Sequence, residues 1–221
     1  MPGTEKKALI IMASGNSRRF GGNKLLADFD GKPLFRHILD SSAALPGLRR
    51  LVLTRHAEIY AHCLATGTEA VLHTLPLRNE AIRLGIEILT EGMPDVRETI
   101  LQYSLYREAT PLSGCIFCLA DQPLLTQESL LRLSRAADAE PGRILCLSFQ
   151  GQRGAPVYFP AALFPELTAL PDRCGGRHLI QKYPELVSEA AAGSALELAD
   201  VDTPEALRAL ETALQRSREL T

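Results

Sequence analysis

The 221-residue chain carries almost no net charge, no long apolar stretch and no cysteine framework. Each lack removes a class of protein. A formal charge of −2 provides no bulk electrostatic pull toward nucleic acid or a membrane surface. No apolar run approaches the ~20 residues that a spanning helix needs. The run near the start, Ala8 to Ala13, is too brief for a signal sequence, so a cytoplasmic location is expected. Five cysteines, odd in number and widely scattered, argue against a disulfide scaffold. Cys115 and Cys118 form a lone Cys-x-x-Cys. On a strand, positions i and i+3 face opposite ways, and no second pair completes a zinc site, so buried strand cysteines are expected. The histidines lack His-x-x-x-His spacing, and no Gly-x-Ser-x-Gly elbow marks a serine hydrolase. His37 falls on a predicted amphipathic helix and reads as structural. With no repeat or linker, one domain spanning 1–221 is expected.

What is present is an alternation of strands and helices. Strands are predicted at 7–14, 50–54, 69–73, 114–120, 143–149 and 155–159, with shorter ones at 186–189 and 195–199. Helices are predicted at 33–45, 57–67, 78–89, 126–139 (capped by Thr126), 175–183 and 202–220, the last with leucines at 207, 210 and 214. Residues 90–113 read as a loop with a short helix. "DFDG" at 28–31 reads as a tight turn, because a calcium loop would need a glutamate where Leu39 stands. The alternation implies an α/β fold with a mainly parallel sheet covered on both faces. Ligands of such sheets sit at the carboxyl ends of the strands.

Two segments bring useful groups to that edge. "IIMASGNSRRFGGNKLL" (10–26) follows the first strand but is neither a Walker loop nor Gly-x-Gly-x-x-Gly. It threads Arg18, Arg19 and Lys24 among Gly15, Gly21 and Gly22, the mixture of open backbone and cations that phosphates require. "CLADQP" (118–123) ends a buried strand on Asp121, well placed to hold a divalent cation over a phosphate. Later, Asp200 and Asp202 in "ADVDTPEAL" share a face if extended. Asp202 with Glu205 also has capping-box spacing, and Pro204 suits a first helical turn, so the residues alone leave Asp202 open between cap and metal contact.

Taken in order, these motifs resemble a known family. "ASGNSRRFGGNKLL" is similar to the Ala-Ala-Gly-x-Ser-x-Arg-Met-Gly-x-x-Lys loop of the molybdenum cofactor nucleotidyltransferases. "LADQP" resembles their metal segment, and "DVDTPEAL" their Asp-Ile-Asp-Thr-Pro motif. "RGAPVYFP" and "GGRHLI" resemble the Gly-x-Pro and Gly-Ala-Arg segments between. Phe20 replaces the loop methionine, and "PDRCGGR" (171–177) departs from Gly-Asp-x-Gly-Ala-Arg. The resemblance implies a Rossmann-like three-layer α/β/α nucleotidyltransferase that joins an NTP to a phosphate-bearing pterin, molybdopterin, and releases pyrophosphate. It implies that Arg19 and Lys24 hold the triphosphate, that Gly21 belongs to the same loop, and that Asp121 binds Mg²⁺ with Asp202 assisting. It further implies that Met12, Ala13, Ser14 and Gly15 line the base. The similarity is nearest to the cytidylyltransferase branch, linked to xanthine-dehydrogenase-type molybdenum hydroxylases. A side chain at position 14 leaves less room for a purine, which favours CTP. A sugar-1-phosphate nucleotidyltransferase and a non-catalytic, cofactor-binding maturation factor for such a hydroxylase are the competing expectations.

Overall fold

A computed structural model describes residues 6–15, 17, 19–92, 99–105 and 107–219. Arg18, part of the basic loop, lies outside them. The central strand β1 (Lys6–Ala13) is apolar along both faces, as a strand covered on two sides must be. It pairs in parallel with β4 (Leu48–Thr54) on one side and β7 (Leu112–Leu119) on the other. The sheet continues from β4 through β5 (Ala70–His73) to β6 (Ile100–Ser104). From β7 it continues through β9 (Gln152–Pro160) and β8 (Ile144–Phe149) to β10 (Val187–Ala191). Strands β6 and β9 run antiparallel to their neighbours; the other pairs of this eight-stranded sheet are parallel.

Alternate residues of β1 feed two cores. Leu9, Ile11 and Ala13 pack beneath α1 (Leu34–Ala43), α2 (Ala57–Ala65) and α4 (Gln127–Ala139). Ala8 and Ile10 pack beneath α3 (Arg78–Thr90), α5 (Phe164–Thr168) and α6 (Arg177–Lys182). The result is the expected three-layer α/β/α arrangement. Helix α3 lies so close to the sheet that a Cβ on Gly85 would come within 2.8 Å of Ile10 and 2.9 Å of Leu53. Cys118 belongs to the first core and Cys115 to the second, as the strand period required. His37 bonds the Phe29 carbonyl at 2.9 Å, a structural role.

Three segments differ from expectation. Residues 100–104, within the stretch read as a loop with a short helix, form the edge strand β6. Residues 195–198, expected as a strand, form a 3-10 turn because the buried Glu197 carboxylate is committed to Thr126 and Gly193. The unpredicted α5 and the 3-10 turn before it, Ala161–Leu163, follow β9. The turn at 28–31 is a two-residue hairpin between β2 (Asp28–Phe29) and β3 (Lys32–Pro33), with Asp30 and Gly31 both at positive φ. The final helix, α7 (Pro204–Glu219), lays Leu207, Leu210 and Leu214 over Phe29, Leu34 and Val201.

Candidate active site

The registers of β1 and β7 place Met12 beside Leu119, so the loops that follow both strands leave the same edge of the sheet. In the first loop Ser17 takes a positive φ of 47°, and its carbonyl accepts the Phe20 N–H at 2.9 Å. Gly21 follows at φ 76°, a left-handed turn that glycine makes without strain. The Ser17 hydroxyl accepts the Lys24 N–H at 3.1 Å, and the Asn23 side chain accepts the Leu25 N–H at 3.2 Å. These bonds start a 3-10 turn, Lys24–Leu26, that buries Leu25 and carries Lys24 inward with it.

Lys24 meets the acidic segments there. Its Nζ lies 2.5 Å from Asp121 Oδ2 and 2.8 Å from Asp202 Oδ1, while Arg19 Nη2 lies 2.7 Å from Asp202 Oδ2. Burial alone pushes the Lys24 pKa down, but hydrogen bonds and charge from the two aspartates outweigh it and the net shift is upward. The Lys24 hydrogen bond holds the Asp202 carboxyl below its usual range. Asp121 Oδ1 is buried with no hydrogen-bond partner. Asp200 stands at the rim, open to solvent on one side. Partial burial, then the charges of Asp121 and Asp202, push its carboxyl up to about 6.

Backbone contacts fix this convergence. Val201 N–H donates to the Asp121 carbonyl at 2.9 Å, and Gln122 donates to the Leu198 carbonyl at 3.3 Å. The Thr203 hydroxyl, not Asp202, caps α7 by accepting the Ala206 N–H at 3.2 Å. Asp202 is thereby left to the site. Likewise Thr126, not Asp121, caps α4 by accepting the Ser129 N–H at 3.2 Å.

Two cavities with part of their lining in common open here, and the smaller abuts the ion network. The smaller, about 170 Å³, is lined by Met12, Ser14, Gly15, Lys24 and Asp121 together with the Leu75–Arg78 segment. The larger, about 540 Å³, shares Met12, Arg78 and Leu119 with it. Its floor includes Phe117, Val157 and Phe159, and Arg78, Arg153, Arg177 and Asp200 supply charge. Gly176 lets α6 approach that floor: a Cβ there would sit 2.7 Å from the Phe159 ring. Three expected loop residues, Ala13, Arg19 and Gly21, do not line either cavity. Ala13 turns its methyl group into the core, and Gly21 stays exposed at its turn.

Sequence reasoning passed over several of these groups. Arg78 carries no motif, and Arg153 and Arg177, although they stand in the "RGAPVYFP" and "GGRHLI" segments, were given no role of their own. His73, at the end of β5, is 1% exposed; burial, then the nearby Arg55 and His56 charges, lower its pKa to about 4. It is therefore neutral at ordinary pH. The Ser14 hydroxyl lies 3.0 Å from the Leu53 carbonyl and 2.9 Å from His73 Nε2. Both contacts are satisfied when Ser14 donates to the carbonyl and accepts from a protonated Nε2.

Among the described residues no three His, Cys, Asp or Glu side chains form a ready-made metal cluster. Mg²⁺ does not require one, since it takes one or two carboxylates and completes its shell from substrate and water. The unpartnered Asp121 oxygen beside Asp202 fits that donor set. No helix among the described residues is long and apolar enough to cross a membrane.

An α/β sheet that presents a basic glycine loop against aspartates at its ligand edge defines a nucleotidyltransferase. The comparisons agree. Residues 9–187 match the MobA-like NTP transferase domain, and the chain belongs to that family. The purine catabolism protein PucB of Bacillus subtilis is 26% identical over 202 residues, covering 89% of this chain and 91% of PucB. A probable molybdenum cofactor guanylyltransferase of Pyrococcus horikoshii is 30% identical over 105 residues, 44% of this chain and 54% of that protein. Among solved structures, Rv0371c of Mycobacterium tuberculosis superposes with a TM-score of 0.75 at 20% identity, covering 94% of this chain and 98% of Rv0371c. A complex of Rv0371c with manganese superposes with a TM-score of 0.69 at 18% identity, covering 94% of this chain and 99% of that one.

Proposed function

We propose that the enzyme transfers CMP from CTP to the terminal phosphate of molybdopterin and releases pyrophosphate. The observation that carries this reading is the meeting of Lys24, Asp121 and Asp202 at the smaller cavity, which Lys24 and Asp121 line. The smaller cavity would hold the nucleotide. Its Ser14 side chain narrows the base end, which favours a pyrimidine. The larger cavity, apolar below and cationic at its arginines, suits a flat heterocycle that carries a phosphate.

The acceptor is a phosphate oxygen, ionised at neutral pH, so no general base is needed. That oxygen forms a bond to the α-phosphorus, the bond from the α-phosphorus to the leaving oxygen breaks, and the electron pair departs with pyrophosphate. Lys24 and Arg19 would hold the triphosphate and offset charge on the leaving group. Asp121 and Asp202 would hold Mg²⁺, which supplies Lewis-acid stabilisation of phosphate charge when bound. The manganese complex of Rv0371c supports a divalent cation in this fold. The name of the Pyrococcus relative supports a molybdenum cofactor acceptor, and that of the Bacillus relative supports a place in purine catabolism. Asp200 in the larger cavity favours one second reading, since its carboxylate would suit the hydroxyls of a sugar 1-phosphate.

Pyrophosphate release measured for each NTP, with molybdopterin, with sugar 1-phosphates and with no acceptor, tests the proposal. Release with CTP and molybdopterin is expected. Turnover with sugar phosphates alone would replace the acceptor, and no release with any pair would leave a binding protein.

A further inference from the structure

We propose that Lys24 occupies the place of the divalent cation in the nucleotide-free protein, so that the metal is admitted only as a nucleotide draws Lys24 away. The inference rests on the reading of Asp121 and Asp202 as metal ligands. Lys24 Nζ is a compact positive charge set between carboxylates from two different segments, 2.5 Å from one and 2.8 Å from the other. Its side chain is 7% exposed, against 18% for Asp121 and 45% for Asp202. The Lys24 side chain is thus more buried than those of the acids that it neutralises. A magnesium ion bound to both carboxylates would need oxygen ligands at ~2.0–2.1 Å. It would then sit against an ammonium at hydrogen-bonding distance from the same oxygens, and two cations cannot share that position without strong repulsion.

Arg19 repeats the arrangement on the outer oxygen of Asp202. The two cations expected to grip phosphates are therefore both held by acids in this structure. Arg19 is 71% exposed and can leave at little cost. Lys24 is bound on two sides and needs a stronger competitor. A triphosphate, with several negative charges arriving in the adjoining cleft, is such a competitor. Once Lys24 turns to it, Asp121 and Asp202 are unpaired, and the already unpartnered Asp121 Oδ1 joins them as a donor. Metal and nucleotide then bind synergistically, and the empty protein does not collect free metal.

Manganese binding, followed by electron paramagnetic resonance on the full chain, tests this. Wild type should bind Mn²⁺ weakly without nucleotide. K24M and K24Q should each bind it at least about tenfold more tightly without nucleotide, because the carboxylates have lost their internal counter-ion. K24Q retains a hydrogen-bond donor between the acids should K24M fold poorly, and a Mn²⁺-dependent rise in melting temperature, larger in the variants, provides a second readout. Equal nucleotide-free affinity in wild type and variants would overturn the placeholder role but leave the transferase reading intact, since that reading depends on pyrophosphate release. Failure of every form to bind Mn²⁺, even with a non-hydrolysable CTP analogue, would remove the metal site itself and the proposal with it.

Discussion

Lys24 reaches the site because a 3-10 turn buries its neighbour Leu25, so its ammonium is positioned by packing rather than by chance. A preorganised donor of this kind is worth about 2–4 kcal/mol in a transition state that gains charge. Lys24→Ala should lower turnover by roughly 30- to 1,000-fold, measured by pyrophosphate release; unchanged turnover would refute its role. His73 gives a residue-scale prediction of another kind. Its folded pKa, about 4, lies below the 6.5 of the unfolded chain. Between those values the unfolded state binds the proton and the folded state does not. Stability is therefore lost as pH falls from 6.5 to 4, by up to roughly 3 kcal/mol, and the full contribution is present only above that window. Urea denaturation at pH 7 and pH 4.5 should show a shallower acid loss in His73→Gln than in wild type. An identical acid loss would mean that His73 is not the group responsible. Lys24 was visible in the sequence because glycines and cations surround it. His73 was not, because only burial under the fold distinguishes it from four other histidines.

At the scale of elements, what the sequence disclosed followed from patterns that need no partner. The apolar runs of β1 and β7 predicted buried strands, and Thr126 before Gln127 predicted a helix start. Elements whose form depends on a distant contact were read wrongly. Strand β6 alternates poorly and owes its place to pairing with β5. The turn at 195–198 depends on Glu197 bonding Thr126, 71 residues earlier. Even at the site, Asp121 and Asp202 were legible as acids, but their convergence on one ammonium was not, because the Asp121–Val201 backbone bond joins segments far apart in the chain. Helix α6 offers an element-scale test. Gly176→Ala would drive a methyl group to 2.7 Å from the buried Phe159 ring, forcing helix and cavity floor apart. Overpacking of this sort costs about 1–3 kcal/mol. The variant should melt earlier and show a raised KM for the acceptor with little change in KM for the nucleotide. An equal rise in both would place α6 outside the acceptor cavity.

For the molecule as a whole, the site joins segments that lie far apart in the chain. The basic loop follows β1, Asp121 follows β7, and Asp202 precedes α7 near the end of the chain. Without ligand, the three are tied together by Lys24 and Arg19. A bound metal–nucleotide complex would replace those ties with contacts to all three segments at once, and anything that binds only the folded state stabilises it by mass action. At a nucleotide concentration 100 times its Kd, the gain is about 2.7 kcal/mol. For a chain of this length a gain of that size raises the melting temperature by several degrees. CTP with Mg²⁺ should therefore raise the melting temperature in a calorimetric scan, and a chelator added to the same mixture should remove most of the rise. CTP without metal should leave a smaller shift, because Lys24 and Arg19 still answer the phosphates while Asp121 and Asp202 then face them unneutralised. If the full shift survived the chelator, the nucleotide would be held by the cationic loop alone, and the aspartates would have to be read as counter-ions of that loop instead of ligands.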